Sequence, residues 1–466
     1  MKIFRKNLGQ KAMAIAFTAA FGFFQFAYPY HLMRREQLTL FPYDLRYILQ
    51  NYRGSGCMAR FIGDFLDQFF CFPIVGPLII ALLLTAIGAV VYRICRKFMG
   101  KWPSLAVGAA FFFWSFMRET ENQYITRYTV VVLGFLALVL AALQFRKIWM
   151  KAIAAVVFLA AGAWGLGSPV HQYYGKLWGK PLIYLDRMIG LDVEVSRENW
   201  DKVLRIAEKD LHINEASFCY NLANAMKGKL PEALLNYTQN GPNSLFLWVL
   251  DQNSQFSNCI AGEVWYQLGD MTLAEQSAII ALQASPNHNG ARYVLRLAQV
   301  NLISGQYAAA QKYLNLLSRT LVYGKRAKKL YPGNGDSGTE QWLAEKRKNL
   351  AEKDFVYDRN EIRPILQGLL EANPDNLAAR NYLLCYDLLC FDLNTFIEDY
   401  SRKMINADLY QEAILIWLNL TNGMSEENFA KYGVSKTNLD RLNRFYAFPN
   451  NYRNTYWDYY MNSPAQ

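Results

Sequence analysis

The sequence predicts an all-α protein in two parts, an N-terminal transmembrane bundle of about five helices and a C-terminal α-helical solenoid. Three observations predict it. Apolar runs fill most of residues 12–170, eleven basic residues are confined to three short segments beside those runs, and two helical units further on repeat at a spacing of 36 residues. From residue 196 onward almost nothing alternates with the period of two that a half-buried strand needs. A mean hydropathy near zero therefore averages two unlike halves.

The apolar runs place spans at about residues 12–30, 71–92, 103–117, 128–145 and 152–170. The third is short for a bilayer about 30 Å thick. The charges decide whether it crosses. Residues 1–11, 92–102 and 144–151 hold Lys2, Arg5, Lys6, Lys11, Arg93, Arg96, Lys97, Lys101, Arg146, Lys147 and Lys151, with no acidic residue among them. Five crossings put all three segments on one side, and four move the last to the other side, against the positive-inside rule. Five are expected. The first run is long and lacks a small-x-small cleavage site, which favours an uncleaved helix over a signal peptide. The basic N-terminus, residues 1–11, then faces the cytoplasm, and the C-terminal part is extracytoplasmic. The whole chain has 49 basic and 38 acidic residues, so the rest is balanced at 38 against 38. That excludes a bulk nucleic-acid patch.

The first outer loop, residues 31–70, mixes Glu36, Asp44, Asp64 and Asp67 with five arginines and apolar residues suited to interfacial helices. Six of the seven cysteines face an oxidising compartment in this topology; Cys57 with Cys71 is the most plausible disulfide pair, and the sequence leaves open whether it forms. Cys385 and Cys390 read as core residues. No Cys or His spacing suits a metal, and no cofactor is expected.

A juxtamembrane connector, residues 171–195, leads to a helical-repeat domain over 196–460. Its clearest unit contains Gly262, Trp265, Gly269, Ala274, Ala278, Ala281 and Pro286, around WYQLGDMTLAEQSAIIALQASPN. This resembles a tetratricopeptide repeat, in which small residues let two helices approach, a Gly ends the first and a Pro closes the second. The next unit places Ala298, Gly305, Tyr307, Ala310, Leu314 and Leu317 in register. Weaker copies lie at residues 220–237, 369–396 and 410–418. Between about 324 and 359 the register fails, where KRAKKLYPGNGDSGTEQW reads as an insertion.

GDSG within that insertion resembles a serine-protease nucleophile region, but the helical surroundings and scattered histidines (His31, His171, His212 and His288) favour a turn. No P-loop or dinucleotide fingerprint is present. One catalytic alternative is kept. Glycosyltransferases that use lipid-linked sugars resemble this chain in carrying a carboxylate in the first outer loop, which nominates Glu36 or Asp44 as base.

By the tetratricopeptide resemblance, first helices line a partner groove, which places Tyr220, Asn224, Glu263, Tyr266, Gln267, Arg292, Arg296 and Gln299 there. The order of features also resembles a family of bacterial polytopic membrane proteins of unknown function. REQLTLFPYDLRYIL, GDFLDQFFCFPIVGPLIIALL, the repeat region and NTYWDYY carry that resemblance, although GSGC stands where the family has a Pro-Gly-Gly turn. The resemblance implies an inner-membrane protein with a periplasmic C-terminal region. The expected function is a membrane-anchored scaffold that binds a protein or peptide of the cell envelope. The alternative is a membrane enzyme or transporter acting on a lipid-linked substrate through the first outer loop.

Overall fold

The structure is a computed structural model, and it describes residues 8–121, 126–167, 180–247, 255–285, 288–351 and 362–462. Among these residues the fold is all helical, and the only β-type pairing is an isolated bridge between Pro42 and Thr320. The chain divides into two compact units. The first takes Met1–Ile189, Leu282–Ala298 and Ala308–Asn334, and the second takes Gly190–Ala281, Gln299–Tyr307 and Gly335–Gln466.

Each of the five apolar runs of the first unit forms a helix. They are α1 (Leu8–Gly22), α5 (Val75–Cys95), α6 (Lys101–Glu119), α7 (Thr126–Ala142) and α8 (Ile148–Gly165), with α2 (Pro29–Gln37), α3 (Leu45–Asn51) and α4 (Cys57–Asp67) between the first two. By length and composition α5 and α8 can cross a membrane, and α1 with α2 makes a third crossing if that bent pair is one span. The bend between them is 75°. Helical winding of the first run, expected to reach Tyr30, ends three residues earlier, after a π-turn over Phe23–Ala27. Pro29 has no N–H to continue the ladder, so it starts a new helix at its first position instead. Tyr28, at the corner, is fully buried and donates its hydroxyl to the Thr120 carbonyl at 3.1 Å.

Phe24, Tyr28, Leu32, Phe70, Ile80 and Leu84 form the main core of this unit. The α5–α6 crossing is set by small residues. A Cβ on Gly108 would stand 2.9 Å from the Gly88 carbonyl oxygen, so only glycine permits this approach.

The second unit begins within α9 (Ile183–Ser196) and continues through α10 (Trp200–Ala207), α11 (Asn214–Met226) and the single turn α12 (Leu230–Ala233). Two helix pairs follow, α13 (Gln255–Leu268) with α14 (Met271–Ala284) and α15 (Ala291–Ile303) with α16 (Tyr307–Leu317). Their linking turns carry Gly269 at φ +114° and Gly305 at φ +76°, the left-handed backbone that ends a helix most easily at glycine. Gly262 lets α13 and α14 touch, because a Cβ there would stand 2.4 Å from the Ser277 Cβ. Pro286, expected to close the second helix, lies outside the described residues. Parts of α14, α15 and α16 belong to the first unit.

Then come α17 (Gly324–Lys329), which lies in the first unit, and in the second α18 (Ser337–Arg347), α19 (Ile362–Ala372), α20 (Leu377–Leu389), α21 (Leu393–Arg402), α22 (Asp408–Leu420), α23 (Glu426–Tyr432), α24 (Lys436–Ala447) and α25 (Tyr456–Asn462). The GDSG motif is a helix start. Asp336 caps α18, accepting from the Thr339 N–H at 3.0 Å and its hydroxyl at 2.8 Å.

One cysteine pairing left open by the sequence is absent here, and one cysteine expectation needs correction. Cys57 and Cys71 are free thiols, because α4 separates them; its eleven residues span about 16 Å, far beyond disulfide reach. Cys385 is core, whereas Cys390 falls on the C-cap of α20 and is exposed.

Candidate functional site

The most concentrated chemistry of the first unit is a buried polar network. α2 supplies His31 and Arg35, four residues apart and so on one helical face. α4 ends at Asp67, α6 ends at Glu119, α7 begins with Thr126 and Thr129, and the first turn of α9 brings Asp186. All seven side chains are buried.

Arg35 is the hub. Its guanidinium pairs with the Glu119 carboxylate and donates to the Glu119 carbonyl at 2.9 Å. A second nitrogen contact, at 2.9 Å, is to His31 Nε2, and Thr126 Oγ1 stands 3.4 Å away. Thr129 donates its hydroxyl to the other Glu119 oxygen at 2.6 Å, and Thr126 donates to Asp67. The His31 main-chain N–H donates to Asp186 at 2.8 Å. Glu119 thus has both oxygens bonded, which a buried carboxylate requires.

Asp67 and Asp186 lack a direct cation partner in these bonds. Burial pushes both carboxyls up to about 7, and the hydrogen bonds from Thr126 to Asp67 and from His31 to Asp186 only partly offset it. The network joins a permanent ion pair to two acids that titrate near neutrality. Its bonds tie α2, α4, α6, α7 and α9 together.

Beside it lies a water-sized pocket lined by Glu36, Leu40, Gln68, Ala291, Thr320 and Tyr323. Glu36 is itself buried. Burial, then the adjacent Glu36 carboxylate, drives the Tyr323 hydroxyl well above its ordinary value. Asp44, the other nominated base, has a structural occupation. It caps α3 by accepting from the Tyr47 N–H at 3.0 Å, and it pairs with Arg319.

The eight residues assigned to a groove are mostly covered. Asn224, Glu263, Tyr266, Gln267, Arg292 and Gln299 are buried, whereas Tyr220 and Arg296 are half-buried. α18 accounts for part of this. Lys346 lies over the Tyr266 ring, 4.6 Å from its centroid, and donates to Gln267 at 2.7 Å; Glu198 accepts from the same Gln267 at 3.0 Å. Arg292, in the first unit, faces Gln37 at 3.4 Å.

Sequence reasoning missed the Arg35 network. The one signal was that His31 and Arg35 share a face; Glu119, Thr126 and Asp186 come from distant helices, and only folding reveals them as neighbours. Among the described residues no group of three or more His, Cys, Asp or Glu is placed to hold a metal ion.

Among the described residues, fold and network together define an all-helical protein with two or three helices able to cross a membrane and a charged knot buried where several helices meet. The chain belongs to the family described as "Family of unknown function (DUF6057)", which matches residues 5–178 and 178–463. No curated protein and no solved structure matches the chain.

Proposed function

We propose that this protein is a membrane-anchored scaffold whose extracytoplasmic helical repeats bind a protein or peptide partner in the cell envelope. In this reading α1, α5, α6, α7 and α8 all cross the inner membrane, with a cytoplasmic N-terminus. The tetratricopeptide-like region, residues 196–460, stands outside. The observation that carries the reading is the pair of helical units 36 residues apart, each turned by a left-handed glycine. Helix pairs of this kind stack to present extended binding surfaces. Of the nominated groove residues, half-buried Tyr220 and Arg296 are reachable without rearrangement. Ile279 and Tyr307, 40% and 45% exposed, add outward apolar area.

Photo-crosslinking in native membranes tests it, with a benzophenone residue at Tyr220, Ile279 or Tyr307 of the full chain. One protein recovered at all three positions supports the scaffold. Its absence, with activity lost in a Glu36 variant, sinks it.

One observation favours the second reading, an enzyme acting on a lipid-linked substrate: buried Glu36 lines a water-sized pocket and is hydrogen-bonded there to Tyr323. Glu36→Gln with normal expression and a null phenotype would support that reading, and an unaffected phenotype would remove it.

A further inference from the structure

Helix α3 turns large apolar side chains outward. Leu45 and Leu49, one helical turn apart, are 72% and 58% exposed, and Tyr43 just before them is 50% exposed. The helix is nonetheless well held from behind. Asp44 caps it, and Tyr47, half-buried, accepts from Asn289 at 2.9 Å. An apolar face on a fixed helix needs a partner.

The place where α3 is tethered identifies that partner. The residues that follow it are bonded to the last turn of α8: the Gly56 N–H donates to the Trp164 carbonyl at 2.9 Å, and the Ser55 hydroxyl donates to that of Ala163 at 3.1 Å. α8 is one of the two helices long and apolar enough to cross a membrane, and Ile153, Val156 and Val157 are exposed along it. Trp164 is also exposed, at the helix end where an interfacial aromatic belongs. The same segment has the charge that headgroups attract. Arg46, Arg53 and Arg60 occur between Asp44 and Asp64 with no acidic residue among them. Arg46 and Arg53 are exposed, one between the two leucines and one after them.

We propose that α3 is an interfacial helix, with Leu45 and Leu49 in the acyl region of the bilayer at the end of α8 and Arg46 at the lipid phosphates. This rests on the reading that α8 crosses a membrane. It gives the first loop a lipid-facing helix beside α8, and the partner of its apolar face is lipid.

The test is photo-crosslinking of the full chain in vesicles of phosphatidylethanolamine and phosphatidylglycerol containing radiolabelled phospholipid. A benzophenone residue is placed at Leu49, at Val156 on α8, or at Leu420, an exposed leucine of the second unit. Lipid adducts are expected at Leu49 and Val156 and only background at Leu420. Arg46→Glu should lower the yield at Leu49 without changing that at Val156, and an unchanged yield would overturn the phosphate contact. Adducts at Val156 but not Leu49 overturn the proposal and spare the membrane reading. A protein adduct at Leu49 in place of lipid also overturns it. No adduct at Val156 overturns the membrane reading and this proposal together. Equal labelling at Leu420 overturns the proposal as well, because exposure alone would then explain the adduct.

Discussion

Arg35 and Glu119 form an ion pair almost entirely removed from water, with side chains 5% and 0% exposed. They come from α2 and α6, so the pair joins the helix after the bend to the end of an apolar run. A buried pair of this kind is weakly stabilising as a unit, because desolvation offsets attraction, but severing it leaves one charge stranded. Glu119→Leu or Arg35→Met alone should therefore cost about 3–5 kcal/mol. The double variant should cost less than the sum. A double-mutant cycle by thermal unfolding in detergent measures this, and simple additivity would show that the two residues act independently.

Asp67 carries a pH signature. Its folded carboxyl titrates at about 7, raised first by burial, against about 3.8 in the unfolded chain. The native state therefore holds the proton longer, and this group's stability contribution is full below about pH 4 and is lost as pH rises through 7. Asp67→Asn keeps an oxygen for the Thr126 hydroxyl and cannot ionise. The variant should gain on the parent as pH rises from 5 to 7.5, then hold a constant advantage. A difference in melting temperature that ignores pH would remove Asp67 as a titrating group. Asp186 shifts in the same direction, so only the variant-to-parent difference isolates Asp67.

Gly262 tests the helix pair. An added Cβ would stand 2.4 Å from both Cβ and Oγ of Ser277, whose hydroxyl is itself bonded to the Asn258 carbonyl. Gly262→Ala should destabilise the chain by about 1–3 kcal/mol through overpacking, even though alanine is the better helix former. Adding Ser277→Gly should restore part of the loss. No loss in the single variant would mean that α13 and α14 lie further apart.

The pairing of α13 with α14 was legible because small residues and turn glycines announce themselves locally. The five apolar runs were legible as helices for the same reason, and the bend at Pro29 moved one boundary by only a few residues. Long-range assembly was not. Nothing local says that residues 282–298 and 308–334 join the first unit, or that Thr320 would bridge to Pro42. The residues expected to line a groove are mostly covered for a related reason. α18, read from sequence as part of an insertion, lays Lys346 against α13 and Arg347 against α15; Arg347 donates to the Leu302 and Ile303 carbonyls at 2.6 and 3.0 Å. An insertion's own pattern does not disclose which surface it will cover.

The NTYWDYY motif gives the last test. Its Trp457 is fully buried and donates its indole N–H to the Glu412 carbonyl at 3.0 Å. The Glu412 carboxylate accepts from the Tyr456 N–H at 2.7 Å and from Arg441 at 3.0 Å, while the Tyr456 hydroxyl donates to the Leu388 carbonyl at 2.9 Å. α25 is thereby latched onto α22 and α20 by an aromatic pair and one acid. Trp457→Ala removes the largest of these side chains and leaves a cavity, which should cost about 3–5 kcal/mol. Trp457→Phe fills most of the volume but loses the indole donor, and it should cost less. Glu412→Gln separates packing from charge: burial has already pushed this carboxyl up to about 7, so the neutral variant should be tolerated better at pH 8 than at pH 5 relative to the parent. Proteolysis of the C-terminal region reads the latch directly. Faster cleavage near α25 in Trp457→Ala than in Trp457→Phe is the expected order, and equal rates in both variants and the parent would show that α25 is not held by this contact.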